Sequence, residues 1–384
     1  MKSEEISDVI LPEETSLYSH QVAGHEYDGN TKLGVLKHKN GAIIKPVMEN
    51  GRSEKELLFY ENVFCNKDSD SILSELSNYL PKFLGTCQTR IKDKEKKFLC
   101  LEDVCETFSK PSILDVKIGK VTYDPEATGT KIEYEKSKYL YSEVLGFRIL
   151  GMKVNVKIGK VTYDPEATGT KIEYEKSKYL YSEVLGFRIL GMKIYNYDEE
   201  KYVHKDKKFG KGITPENMKN ALELFFTSNL FINCCILSGF LHKLNELENW
   251  FKHQRKFAFY SSSLLFVYEG MFTAWNKWIK TNLHNFCRLE CQEKESSAIS
   301  AECLRNIFID NNSSNNLNCN TCLLHKSICH KIISDCSLIR VAMIDCAHVF
   351  PTSTEDSNYV FGLEKLKQFI QTILNDQIKL LPKN

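Results

Sequence analysis

The sequence predicts a mixed α/β (α+β) fold, with an antiparallel sheet in its first hundred residues and a larger body of helices and apolar strands behind it. Three observations carry this. Two hairpin patterns lie before residue 105, a strand–turn–helix–strand pattern occurs twice in the middle, and apolar strands alternate with amphipathic segments towards the end. With 384 residues, 42% of them hydrophobic and 26% charged, the chain is long enough for one large domain or two lobes.

Residues 1–18 are polar and read as a disordered tail. LGVLKHKNGAIIKPV, 33–47, reads as a hairpin, because Asn40-Gly41 is a strong tight-turn pair between two apolar runs. Ser53 followed by Glu56 has the spacing of a capping box for a helix over SEKELLFYENVF. KFLGTCQTR and KFLCLEDV, joined by the charged turn IKDKEK, read as a second strand pair. Residues 19–104 therefore form an N-terminal lobe of one sheet and one helix, and residues 105–384 a C-terminal lobe.

The second lobe opens on PSILDVKIGK, and its VKIGK returns forty residues later without PSILD. Residues 116–155 and 156–195 match at every position except the last two, where Val154-Asn155 stands against Ile194-Tyr195. Solenoid repeats drift in sequence and need about three units or more. Two near-identical copies read instead as a tandem duplication or an error in a gene model. Removing one copy leaves 344 residues and a smooth passage into GMKIYNYDEE. Each unit reads as a strand (DVKIGKV), a turn broken by Pro and Gly (YDPEATG), a helix (KIEYEKSKYLYSEV) and a strand (FRILGMKIY). The native slot has room for one unit, so one copy, or a hybrid of both, fills it.

Thr214-Pro215-Glu216 caps a helical region running to about 257. Its most apolar run, NLFINCCILSGFL at 229–241, is too short to span a bilayer and reads as a buried core helix. SSSLLFVYEG, 261–270, reads as a strand. Residues 271–336 lose apolar periodicity and read as a Cys/Asn/Ser-rich insertion. LIRVAMIDCAHVF, 338–350, reads as a strand with an Asp and a His near its end, and LEKLKQFIQTIL as an amphipathic helix.

A net charge of +1 argues against a nucleic-acid surface, so an anionic ligand has to meet a local basic cluster. The acidic N-terminal stretch has no apolar signal core and no segment reads as transmembrane, so the 14 cysteines are expected to be mostly free thiols in a reducing, intracellular compartment (cytoplasm or nucleus). A monomer is expected. In the insertion, Cys319, Cys322, His325, Cys329 and His330 offer zinc-ligand types, but the second pair does not follow a finger spacing and a loop with free thiols is the plainer reading.

Three segments combine apolar strands with charged residues. Asp115 and Lys117, two apart, share one face of a strand. Asp345 ends the apolar run VAMI, a common placing for a carboxylate that holds a metal ion on phosphates. Lys45 sits in AIIKP, similar to the lysine that meets nucleotide phosphates in two-lobed kinases. Each alone has a plainer reading, as a solvated strand lysine or a turn-forming Asp. Together they supply what phosphoryl transfer needs. Lys131 and Lys138, seven apart on a helix, face one way and with Lys117 and Lys153 or Lys193 could line a pocket for a polyanion, although Glu133 and Glu135 share that helix.

PSILDVKIG fits the PxxxDxKxG signature of the inositol polyphosphate kinase family, SSLLFVYEG resembles its second motif, and MIDCAHVFP resembles its IDFAH element. HQVAGH, 20–25, and LEDV, 101–104, are similar to the multikinase branch of that family. The resemblance runs from about residue 19 to 371 apart from the extra copy, and the three motifs in this order are a specific signal. It implies a two-lobed, kinase-like α/β fold with ATP and Mg²⁺ between the lobes. It implies Lys45 at the phosphates, Glu102 and Val104 at the adenine through backbone groups, Asp115 at the nucleotide and Asp345 as the Mg²⁺ ligand. Lys117 would reach the inositol phosphates and the transferred phosphoryl group. Lys131, Lys138, Lys153 or Lys193, and His348 would hold the substrate.

The implied reaction moves the γ-phosphoryl group of ATP to a hydroxyl of inositol tris- or tetrakisphosphate, with phosphoinositide headgroups as further acceptors. A 3-kinase or hexakisphosphate kinase of the same family is the nearest alternative. The alternative from another class is a binding or scaffold protein whose turnover the repeat has impaired. A protein kinase is disfavoured, since no HRD or DFG motif follows LEDV. Two departures bear on the site: Cys346 replaces the aromatic of IDF, and acidic residues accompany the basic helix of the repeat.

Overall fold

The computed structural model describes residues 11–21, 34–48, 51–91, 94–118, 147–151, 192–205, 217–260, 262–284 and 331–381. They build two principal sheets, with the chain passing from the first to the second through residues 102–110.

The first sheet is antiparallel, in the order β1-β2-β3-β5-β4, with β1 at Thr15–Leu17, β2 at Leu36–His38, β3 at Ile43–Pro46, β4 at Phe83–Ile91 and β5 at Lys94–Leu101. The Asn40-Gly41 turn closes β2 onto β3. Gly41 takes φ 89°, the left-handed region that a side chain would oppose, and the His38 amide reaches the Ala42 carbonyl at 2.9 Å. On one face Leu36, Ile44, Phe98 and Cys100 form a small apolar cluster. On the other lies α1, Arg52–Asn66, which buries Leu57, Phe59, Tyr60 and Val63 at helical spacing.

Three expectations for this lobe are corrected. The tail expected over 1–18 contributes a strand, since β1 pairs antiparallel with β2, Thr15 opposite His38. The capping box does not form: the helix starts after Gly51, and the Ser53 hydroxyl instead exchanges hydrogen bonds with the Met48 amide (2.7 Å) and carbonyl (3.1 Å). A second helix, α2 at Ser71–Ser77, was not anticipated. Asp70 caps it, accepting from the Ile72 amide at 3.0 Å.

The second sheet runs β12-β11-β6-β8-β9, with β7 also on β6. Its strands are β6 at Pro111–Ile118, β7 at Phe147–Gly151, β8 at Met192–Asn196, β9 at Lys201–Lys205, β11 at Ser263–Glu269 and β12 at Ile339–Ile344. All its pairings are antiparallel. A separate two-stranded ribbon joins β10, Phe257–Phe259, to β13, Val349–Pro351.

The expected helical region up to 257 resolves into α3, Met218–Glu223, and α4, Leu230–His253. The break is fixed by Asn229, whose side chain caps α4 at the Ile232 amide (2.9 Å), while the initiating residues 214–216 lie outside the described set. As expected, α4 is a core helix, buried on nearly every side from Ile232 to Leu241, and it packs against the C-terminal helix α6, Ser357–Leu380.

Both ends of the insertion expected over 271–336 belong to the core instead. α5, Phe272–Ile279, buries Trp275, whose indole N–H donates to the Glu269 carbonyl at 2.6 Å, and Ile333 and Cys336 also join the core. The strand expected over 338–350 breaks at Asp345, so that β12 and β13 belong to different sheets. Among the described residues no helix is long and apolar enough to cross a membrane.

Candidate active site

A cavity of about 360 Å³ opens between the two sheets. Lys45, Glu102, Val104, Asp115 and Asp345, five residues picked out in the sequence, all line it. They arrive from four places: β3, the segment after β5, β6 and the end of β12.

β3 carries Lys45 opposite Leu99 of β5, with Ile43 and Ile44 buried before it. Its ammonium lies 2.7 Å from a Glu56 carboxylate oxygen and 2.9 Å from one of Asp345. Burial alone would lower the Lys45 pKa, but the Asp345 and Glu56 carboxylates outweigh it and the net shift is upward, so the lysine stays charged. The Glu56 side chain is only 7% exposed, so it depends on Lys45 for compensation. Glu56 had been read as half of a capping box. Its better signal was its place on the buried face of α1, among Leu57, Phe59 and Tyr60.

The second sheet places the two aspartates by register. In β11, Leu265 stands between Asp115 of β6 and Ala342 of β12, and Ser263 between Lys117 and Ile344. Asp115 thereby lies level with Ala342, three residues before Asp345, across their shared neighbour β11. Asp115 is 2% exposed. Asp345 takes φ 59°, a left-handed conformation that Asp tolerates better than most residues. That kink leaves its side chain 46% exposed towards the cavity while Cys346, next in the chain, is buried in the core. The thiol thus fills the space behind the carboxylate.

The connection after β5 is held by side chains. The Glu102 carboxylate pairs with the Arg340 guanidinium at 2.9 and 2.8 Å and accepts from the Lys82 amide at 3.1 Å. Burial would raise the Glu102 pKa, but the hydrogen bonds from Arg340 and Lys82 outweigh it and hold it below the usual value. Asp103 accepts from the Tyr18 hydroxyl (2.7 Å), the Lys37 ammonium (2.6 Å) and the Cys105 amide (2.9 Å). Val104 is buried with Cys105, Phe108, Ile113, Val267 and Ala342. Tyr18, Asp103 and Arg340 were not anticipated. Tyr18 was hidden by the polar composition of the tail, and Arg340 by its place in a strand read only for its apolar residues.

The backbone of Lys117 lies opposite Ser263 and that of Lys193 opposite Ile113. Lys131, Lys138 and Lys153, and the Cys/His group at 319–330, lie outside the described residues. His348 is partly exposed and outside the cavity lining, and its carbonyl accepts from the Tyr260 amide at 2.9 Å.

The inositol polyphosphate kinase family model matches residues 98–156 and 154–371, breaking where the repeat falls. The chain is 29% identical over 409 residues to the human inositol polyphosphate multikinase, covering 93% of this chain and 88% of that protein. It is 30% identical over 269 residues to the Arabidopsis thaliana inositol polyphosphate multikinase beta, covering 65% of this chain and 75% of that protein. The Saccharomyces cerevisiae inositol phosphate multikinase, solved in complex with ADP and Mn²⁺, superposes with a TM-score of 0.49 at 24% identity, over 87% of this chain and 99% of that one. On the extent of the family match, the chain belongs to the inositol polyphosphate kinase family and is by that membership a phosphotransferase.

Proposed function

We propose that this chain transfers the γ-phosphoryl group of ATP, with Mg²⁺, to hydroxyls of soluble inositol tris- and tetrakisphosphates. The observation that carries the proposal is the meeting of Lys45, Glu56 and Asp345 within 2.9 Å contacts at one wall of a cavity whose lining also includes Asp115. Phosphoryl transfer needs little covalent help from a protein. It needs charge neutralisation and positioning, and this array supplies both kinds of group.

The donor set suits Mg²⁺. Asp345 and Asp115 offer hard carboxylate oxygens, and among the described residues no group of three or more His, Cys, Asp or Glu forms a closed metal cage. Mg²⁺ is commonly held in this way, by one or two carboxylates together with substrate phosphates and water. When bound, the ion neutralises charge on the phosphate oxygens.

The chain's own groups have the following roles. Lys45, kept charged and fixed by Glu56, meets the nucleotide phosphates. Asp345 holds the metal ion on its exposed carboxylate, and Asp115 meets the nucleotide. Glu102 and Val104 present backbone groups to the adenine, held in place by Arg340 and by the Asp103 bonds. Lys117, together with the basic residues of the repeat and His348, meets the inositol phosphates. The acceptor hydroxyls and the extension to phosphoinositide headgroups rest on the family likeness.

The test is an assay of the purified 384-residue chain with Mg²⁺, ATP and soluble inositol tris- and tetrakisphosphates, with products resolved by anion exchange. New, more highly phosphorylated products are expected. Their absence from a folded sample would sink the proposal and favour a binding protein.

A further inference from the structure

Residues 116–153 and 156–193 are identical, so either copy could in principle supply the strand beside β6. The structure draws on both. From the first copy, β7 runs antiparallel to β6 with Gly151 opposite Asp115. From the second, β8 runs the same way with Lys193 opposite Ile113. In an antiparallel pair each step forward on one strand is a step back on the other. Continuing β7 past Gly151 would therefore put residue 153 opposite Ile113. Lys193 stands there instead, one repeat period of forty residues later.

The two positions at which the copies differ give an independent reason. Ile194 and Tyr195 are 9% and 7% exposed. The Tyr195 amide donates to the Ser112 hydroxyl at 3.3 Å, and its ring meets that of Tyr202 edge-on at 5.3 Å. Its ring carbon Cδ1 lies beside Gly270, where an added Cβ would come within 3.2 Å of it. The first copy has Val154 and Asn155 at these positions, and Asn155 there would bury an amide in an aromatic contact. The second copy's ending is the one this pocket accepts.

We infer that β7 and β8 are the two halves of one composite strand, the first taken from copy one and the second from copy two, so that Lys193 rather than Lys153 holds the register position opposite Ile113. The two halves stand forty residues apart in the sequence beyond their shared register, one full period. The β6–β7 register shifts by one residue between Val116 and Asp115, and β8 takes up the register that β7 holds at Gly151. The entropy of closing such a connection grows only slowly with its length. The strand assignment rests on pairing and burial. The role of Lys193 rests on the kinase reading above.

Hydrogen exchange on the full chain tests the strand directly, because peptides containing Ile194-Tyr195 and Val154-Asn155 differ in mass. The amides of Lys193–Tyr195 are expected to exchange as slowly as those of β6, and free exchange there overturns the composite strand. A kinetic arm tests the lysine. Lys193→Ala is expected to raise KM for inositol trisphosphate by about tenfold more than Lys153→Ala does, the weight of about one charge-assisted contact. Equal effects, or the reverse order, overturn the assignment of Lys193. If the unaltered chain yields no product, the kinase reading falls, and hydrogen exchange still decides the strand.

Discussion

Lys45 and Asp345, 300 positions apart in the chain, meet at 2.9 Å across the cleft between the two sheets. Neither strand could bring them together alone. β3 delivers the lysine from the first sheet, and the left-handed kink after β12 turns the aspartate towards it from the second. The pair bridges the two sheets at the wall of the cavity where the proposed function puts the nucleotide phosphates.

Asp345→Asn is therefore expected to remove turnover by about three orders of magnitude or more while leaving the fold intact, since the side chain is half-exposed and Lys45 keeps Glu56. Circular dichroism and an activity assay check both halves. Retained activity would contradict the metal role. Lys45→Met behaves differently, because it strands Glu56 as a buried, unpaired carboxylate. It should cost about 3 kcal/mol in stability as well as activity, read from urea unfolding.

The fork between Glu102 and Arg340 ties the inter-lobe connection to β12 through two bonds of 2.9 and 2.8 Å. Arg340→Lys keeps the charge but loses the planar, two-point match. KM for ATP is expected to rise several-fold, about 1 kcal/mol in binding, with KM for the inositol phosphate little changed. A rise confined to the inositol substrate would contradict this placement.

Tyr18 joins the N-terminal strand to Asp103 at 2.7 Å, and its side chain also lines the cavity. Burial, with the Asp103 charge adding to it, pushes the phenol pKa well up, so the hydroxyl is a fixed donor at any ordinary pH. Tyr18→Phe removes that donor and leaves the ring. The expected result is a loss of about 1 kcal/mol in stability and a weaker nucleotide KM. Tyr18→Ala, which also opens the cavity wall, should be worse in both. A Tyr18→Phe variant as stable and as active as the unaltered chain would show that the hydroxyl contributes nothing.

Asp356 links two elements of the second lobe. It accepts from the Phe259 amide (2.7 Å) at the end of β10 and from the Tyr359 amide (3.0 Å) in the first turn of α6. Burial raises its carboxyl to about 6 against the pull of those amides, with Glu355 adding a like charge. A folded-state value above the unfolded one means that the folded protein holds the proton more tightly. The stabilisation from protonation is full below about pH 4 and lost as pH rises through 6. Relative to an Asp356→Asn variant, the unaltered chain should gain up to roughly 3 kcal/mol between pH 7 and 4. Unfolding curves at both pH values check it, and a difference independent of pH would contradict it.

Much of this molecule was legible because much of it rests on local chemistry. The Asn40-Gly41 turn, the apolar run at 229–241, the strand in SSSLLFVYEG and the carboxylate ending VAMI each follow from turn preference or apolar periodicity, and each is where it was expected. Lys45, Asp115 and Asp345 belong to such segments, while Glu102 and Val104 entered through the family resemblance of LEDV. Glu56 was misassigned for the same reason: its spacing from Ser53 satisfied a local rule, while a lysine eleven residues away made the stronger claim on it. β1 escaped because the polar composition of the tail masked a three-residue strand whose partner lies further along the chain.

The sequence by itself determined that an N-terminal antiparallel lobe precedes a larger one, that lysine and aspartate stand at strand positions suited to phosphate and metal, and that forty residues occur twice. It could not choose between the copies, because identical stretches have identical local propensities. Only the tertiary structure could make that choice. Cross-strand register sets Lys193 opposite Ile113, and the buried Tyr195 ring packs edge-on against Tyr202, where the first copy has Asn155. Pairing and burial depend on what lies across the sheet, which no local stretch of sequence contains.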